Sequence, residues 1–201
     1  MPNSILSRLQ SDNPHLVGVT TDSKSSAAKT ITNGDKKDSF IRLFSSDNQT
    51  IYLSGLGKYR VILDKPETSV KVQGLFFAAD HGVGQVDLEI IHTAPRTHAQ
   101  VELRGVATDQ AALTLNAKIF IGEKCIQSTS FLTERVLLLS DQAQAVAKPE
   151  LEILCNDVKC SHAASVSRIP QEQLFYLASR GIDRETAEYL VVNGWLSGRT
   201  N

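Results

Sequence analysis

The sequence predicts a mainly β body followed by a small helical unit, and three observations carry that prediction. Between Phe40 and Ile169 short, apolar-rich runs recur, separated by Gly, Pro, Asn or Asp, as strands divided by turns are. No stretch inside that span repeats at helical period, so a sheet with crossover helices is not expected. Beyond Pro170 the apolar spacing changes to that of helices.

Taken in order, residues 1–38 hold one apolar cluster, Ile5, Leu6 and Leu9, enough for a helical turn or two. TTDSKSSAAKTITNGDKKDS, about residues 19 to 38, is too polar to bury much of itself and reads as a flexible segment. Residues 39–169 then carry the runs SFIRLFS, QTIYLSG, YRVILDK, SVKVQGLFFA, VDLEII, HAQVELRGV, ALTLNAKIFIG, CIQSTSFL, RVLLL and PELEIL. Leu113, Leu115, Ala117, Ile119 and Ile121 share one parity and so one face of a strand, and Val101 and Leu103 alternate with Glu102 and Arg104 in the same way. The hairpin dipeptide Asn33-Gly34 precedes these strands instead of joining two of them. Periodicity leaves two architectures open: a meander or sandwich, and a coil of parallel strands turned by short loops.

Residues 170–201 form the helical unit. Pro170 suits a first turn, Leu174, Leu177 and Ala178 share a face, and Gly181 stands where a left-handed residue ends a helix. Asp183 can cap a second helix with Glu185 near its positive end. Ala187, Leu190, Val191 and Trp195 are its apolar stripe and Gly194 its stop. The pair reads as a closure for the open end of the β body, as a docking element, or as both.

Composition narrows the function. Lys and Arg number 21 against 22 Asp and Glu, so no global field invites nucleic acid or a membrane surface. No apolar run is long enough to span a bilayer, and MPNSILSRLQSDNPHL lacks the parts of a signal peptide. Three cysteines fit free thiols in a reducing compartment, so a soluble cytoplasmic protein is expected. GxxxxGK[ST], GxSxG, HExxH and GxGxxG are all absent, and an enzyme is not expected.

Soft metal ligands concentrate in CNDVKCSH, Cys155 to His162. In an extended strand Val158, Cys160 and His162 share one face, and Cys155 has the opposite parity unless Asn156-Asp157 makes a turn. A thiol and an imidazole are half of a zinc or iron site, so further ligands must come from another coil or another subunit. The plain alternative is buried thiols and a hydrogen-bonded surface histidine, and it is the reading given to Cys155 and Cys125. His81, His92 and His98 lie beside turn residues and are expected to be solvated. Glu89 and Glu102 on neighbouring strands suggest the paired carboxylates of glycoside hydrolysis, but their alternation with apolar residues favours an outward, solvated pair.

The run from Lys148 to Leu196 resembles the C-terminal signature of the SufB/SufD family, iron–sulfur scaffold proteins of the SUF system. Pro149, Leu151, Glu152 and Ile153, then Asp157-Val158-Lys159-Cys160-Ser161-His162, Phe175-Tyr176 and Arg180-Gly181-Ile182 stand in family order, with a looser match back to about Val86. The resemblance implies a right-handed parallel β-helix with a small C-terminal helical domain. It implies a scaffold that pairs through its β-helix with a SufB-like subunit or with itself, and docks a SufC-type ABC ATPase. It implies no stably bound cofactor but a transient Fe–S cluster at a subunit interface, near His162 and Cys160, with His162 binding metal only alongside partner ligands. Phe175, Tyr176, Arg180, Tyr189 and Trp195 become the ATPase-docking residues. In SufB-like members a cysteine upstream of the matched histidine is thought to receive sulfur; a gap-free count puts Glu134 there, so the chain reads as SufD-like. Typical members are much longer, which reads as N-terminal shortening, and the usual Gly after the matched histidine is Ala163. The competing reading is a β-helix enzyme or binding module acting on carbohydrate.

Overall fold

The computed structural model describes residues 49–197, together with Arg8 and three strands within residues 20–43. Those strands are β1 (Thr20–Thr21), β2 (Ala28–Thr32) and β3 (Asp38–Leu43). They are followed by β4 (Gln49–Ser54), β5 (Gly57–Leu63), β6 (Ser69–Ala78), β7 (Val83–His92), β8 (His98–Ala107) and β9 (Ala112–Ile121). β10 (Ser128–Leu138), β11 (Gln144–Ile153) and β12 (Val158–Arg168) complete the β body, and helices α1 (Gln171–Ser179) and α2 (Arg184–Ser197) end it.

Strands from β4 on alternate between two sheets. β4, β6, β8, β10 and β12 form one parallel sheet, and β3, β5, β7, β9 and β11 the other. Each strand pairs with the strand two places on: 20 or 21 residues later for β3 and β4, as Asp38 does with Lys58, and 29 to 32 residues later from β5 onward, as Ser69 does with His98 and Ala112 with Gln144. The body is a parallel β-helix of about four turns, which resolves the two architectures that periodicity leaves open. At its N-terminal end β1 runs antiparallel to β4, and β2 antiparallel to β3.

The alternation in sequence is what builds this. β6 buries every second residue along its whole length, and the buried residues of successive coils stack in rows such as Val61, Ile90 and Ile119. The two sheets press together closely enough that a Cβ on Gly105 would sit 2.5 Å from a Leu113 methyl carbon, so any side chain there would have to push Leu113 aside. The corners explain why no Asn-Gly pair marks them: Glu67, Asp80, Arg96, Asp109 and Gln127 take positive φ of 55 to 64°, so ordinary polar residues make the left-handed bend.

Four expectations change. The polar segment before residue 39 contributes β1 and β2, because antiparallel edge pairing uses backbone groups and needs little apolar side chain; Asn33-Gly34 and the Ile5, Leu6, Leu9 cluster lie outside the described residues. CIQSTSFL and RVLLL are parts of one strand, β10. Gly194 does not stop α2, which runs to Ser197. Its buried positions are Ala187, Val192 and Leu196, while Leu190 is exposed. The start of α2 and the turn before it follow expectation, and Pro170 stands as the N-cap just ahead of α1. Gly181 has φ of +80°, and the Thr186 N–H donates to Asp183 Oδ1 at 3.0 Å.

The helical pair does not close the open end of the coil. It packs on the outer face of the even-numbered sheet, where Val106 and Leu137 form a second core with Ile169, Leu174, Ala187, Val192 and Leu196. The buried guanidinium of Arg104 donates to the Trp195 carbonyl and pairs with Glu102 at 2.5 Å, fastening the end of α2 to β8.

Candidate functional site at the open coil

With the helices on its flank, the last coil is left uncovered by any of the described residues. Among the described residues β11 and β12 each stand last in their sheet. Gln144 and Leu154 donate their N–H groups back to Ala111 and Ile121 of the preceding coil at 3.0 and 2.9 Å. By strand alternation the odd-numbered N–H groups of β11 therefore face outward. Pro149, in the middle of that outward row, has no N–H to offer.

The inner face of this coil carries the expected ligands. Val158, Cys160, His162, Ala164 and Val166 stack over Ser128, Ser130, Leu132, Glu134 and Val136. His162 is exposed and Cys160 half-buried, on one face as their spacing predicts. Burial pushes the Cys160 thiol above its usual pKa, so metal binding there must displace its proton. Cys155 is buried in the β11–β12 turn and Cys125 in the turn one coil before. All three thiols are free. Among the described residues no three His, Cys, Asp or Glu side chains converge as a metal site.

Two groups inside the lumen were not anticipated. His92 is 0% exposed instead of solvated. Its Nδ1 lies 2.7 Å from the Thr97 hydroxyl and its Nε2 3.2 Å from that of Ser130, and Thr97 and Ser128 are 2.9 Å apart. Burial, helped by His98, lowers its pKa to about 4, so the ring is neutral near pH 7. Glu134 is also 0% exposed, and burial raises its pKa to about 8. Its carboxyl lies near the backbone of Ala117 and Lys148, yet neither oxygen completes a hydrogen bond. Both residues share the inward parity of their strands, His92 with Ile90 and Glu134 with Leu132 and Val136. Parity was the signal that could have found them.

The remaining candidates separate. Phe175 is 76% and Tyr176 57% exposed, with the Arg180 guanidinium 5.3 Å from the Tyr176 ring centroid. Tyr189 and Trp195 instead pack into the second core, with Arg8 over Tyr189 and Arg104 beside Trp195. Glu89 and Glu102 lie on different sheets, each ion-paired to an arginine, so they are no glycosidase pair.

Residues 55–195 match the family model described as SUF system FeS cluster assembly, SufBD core domain. The chain belongs to this SufBD family. SufD of Escherichia coli is 38% identical over 87 residues, which is 43% of this chain and 21% of that protein. SufD of Bacillus subtilis is 38% identical over 113 residues, 56% of this chain and 26% of the relative. SufB of Bacillus subtilis is 30% identical over 108 residues, 54% and 23% respectively. Of these three the two SufD proteins are the more similar, in agreement with the SufD-like reading. This SufBD chain thus spans about a quarter of the length of the curated relatives it matches.

Proposed function

We propose that this SufBD chain is a non-enzymatic, SufD-like scaffold subunit of iron–sulfur cluster assembly. It pairs through its open coil with a SufB-like subunit, holds His162 and Cys160 beside the cluster that forms there, and docks a SufC-type ATPase through its helical pair. The observation that carries this is the last coil, two strand edges left uncovered among the described residues, with Cys160 and His162 together on the inner face of one of them. Long uncovered edges are normally avoided, so a partner strand is the economical explanation. A pair of identical chains is a second reading with its own support. Lys148 and Glu150 flank Pro149, and a two-fold axis at Pro149 with antiparallel strands would set each Lys148 against Glu150 of the other copy.

For the ATPase, the exposed part of the pair, Phe175, Tyr176 and Arg180, is the docking face, because aromatics and arginine dominate binding hot spots. Tyr189 and Trp195 serve by holding the helices in place. No helix among the described residues is long and apolar enough to cross a membrane, and a cytoplasmic setting fits the free thiols.

The test is coexpression with a SufB-type subunit and a SufC-type ATPase, followed by anaerobic reconstitution of the complex. His162→Ala should lower cluster absorbance per mole severalfold at unchanged subunit stoichiometry. Phe175→Ala with Tyr176→Ala should release the ATPase alone. Wild-type cluster content in the His162→Ala complex would remove that residue from the site, and failure to copurify either partner would sink the assignment.

A further inference from the structure

Glu134 is a carboxylate sealed from solvent with both oxygens unbonded. An ionised group in such a place is costly and is retained only with a partner or in the neutral state. Its inner row shows how a partner could reach it. Leu103 lies on one side and Ala164 on the other, its carboxyl lies near the backbone of Lys148, and Ala164 and Lys148 both belong to the last coil, so one coil stands between Glu134 and the open end. His162 is two residues before Ala164, a diagonal neighbour of Glu134 on the same inner face. Diagonal neighbours in a sheet are within reach of long side chains, and the His162 ring is exposed and free to turn. A carboxylate and an imidazole, with Cys160 next on the same face, suit a divalent first-row transition metal. They do not suit calcium, which asks for six or more oxygens.

We propose that Glu134 is a metal ligand held in reserve: a divalent transition-metal ion entering at the open coil draws its carboxylate past Ala164 to bind beside His162. This rests on the reading of His162 given above and adds an anionic ligand from the same chain. The ion takes the place of the carboxyl proton, which leaves to solvent, and no electrons are exchanged. Because the ligands do not converge at rest, the chain alone binds weakly and a partner completes the site.

Anaerobic titration of the full chain with Co²⁺ alone, followed by calorimetry and visible absorbance, tests this. Wild-type protein should take up one Co²⁺ with an affinity weaker than about 10 µM, and both Glu134→Gln and His162→Ala should weaken uptake about tenfold or more. Glu134→Asp keeps the charge on a shorter arm and should fall between. Thermal melting supplies the readout that a merely structural role would not separate: Glu134→Gln should melt no lower than wild type while losing the metal. Glu134→Gln binding within twofold of wild type overturns the proposal, and so does wild-type protein that takes up no Co²⁺ at millimolar concentration. Loss in His162→Ala but not in Glu134→Gln leaves the His162 reading standing and removes Glu134. The reverse result places the ion away from His162 and overturns the paired site.

Discussion

At its N-terminal end the β-helix meets strands that run against the coil direction, whereas at its C-terminal end β11 and β12 have no further strand beside them among the described residues. The interiors differ in the same sense. One inner row runs Val70, Ala99, Ser130, Cys160; the next runs Val72, Val101, Leu132, His162; the third runs Gly74, Leu103, Glu134, Ala164. In these three rows apolar residues fill the earlier coils, and hydroxyl, carboxyl, thiol and imidazole groups enter only near the open one, whereas other positions bury Gln49 and His92 earlier in the coil. The contrast shows how a repetitive fold acquires a site. Replacing inner-row residues in the last coils leaves the backbone pairing unchanged, so stability is concentrated at one end and chemistry at the other.

The sharpest way to break this division is to cut back one side chain in the covered middle of the coil and one at its bare end. Leu103→Ala, at 0% exposure, should cost about 2–5 kcal/mol in urea unfolding. Val166→Ala, at 42% exposure in the last coil, should stay within about 0.5 kcal/mol. Equal costs would mean that the last coil is as tightly built as the rest.

The buried titratable groups come next, and they act in opposite directions. The folded pKa of His92 is depressed to about 4 from 6.5. Its neutral form therefore contributes stability above pH 6.5 that is lost as pH falls towards 4, about 3 kcal/mol in all. The folded pKa of Glu134 is raised to about 8 from 4.5, so its contribution is full below pH 4.5 and is lost as pH rises towards 8. Urea midpoints between pH 4 and 9 should show His92→Gln flattening the acid limb and Glu134→Gln the alkaline limb. Variant profiles parallel to wild type would show that neither group governs these limbs.

A smaller effect separates edge from core. Ala164→Lys places a charge on the inner face of the edge strand, a device that blocks strand addition. Sedimentation should show association with a SufB-like subunit, or with itself, weakened at least tenfold, about 1.4 kcal/mol, with the melting point of the chain alone unmoved. Smallest of all, Arg60→Ala removes an ion pair whose side chains are 40% and 41% exposed, and should cost less than about 1 kcal/mol. A larger loss would mean that the charged outer face supports the coil.

Much of this was readable in sequence because a β-helix writes its inner face at period two. Leu113 to Ile121, and the shared side of Cys160 and His162, follow from parity alone. What parity does not show is which strands neighbour one another across 29 to 32 residues. Glu89 and Glu102 seemed adjacent for that reason, although consecutive strands go to opposite sheets. His92 was misread because a histidine before a turn is ordinarily wet, and its Thr97 and Ser130 partners come from a different strand or coil corner. The helical pair was legible as two helices with their turn, but its resting place was not. Val106 and Leu137, the outer-face residues it covers, give no local sign of what lies on them.

That resting place bears on how the chain acquires its shape. Every coil docks on the one made just before it, so the solenoid can lengthen as it leaves the ribosome, each step closing a loop of similar size at similar entropic cost. The Arg104 contact with Trp195 spans 91 residues and can form only once the last helix has been synthesised. Until then the apolar patch of Leu75, Phe77, Val106 and Leu137 on the outer face is uncovered by the helices. The nascent chain therefore keeps this face open to chaperones until residues 171–197 have emerged and folded onto it.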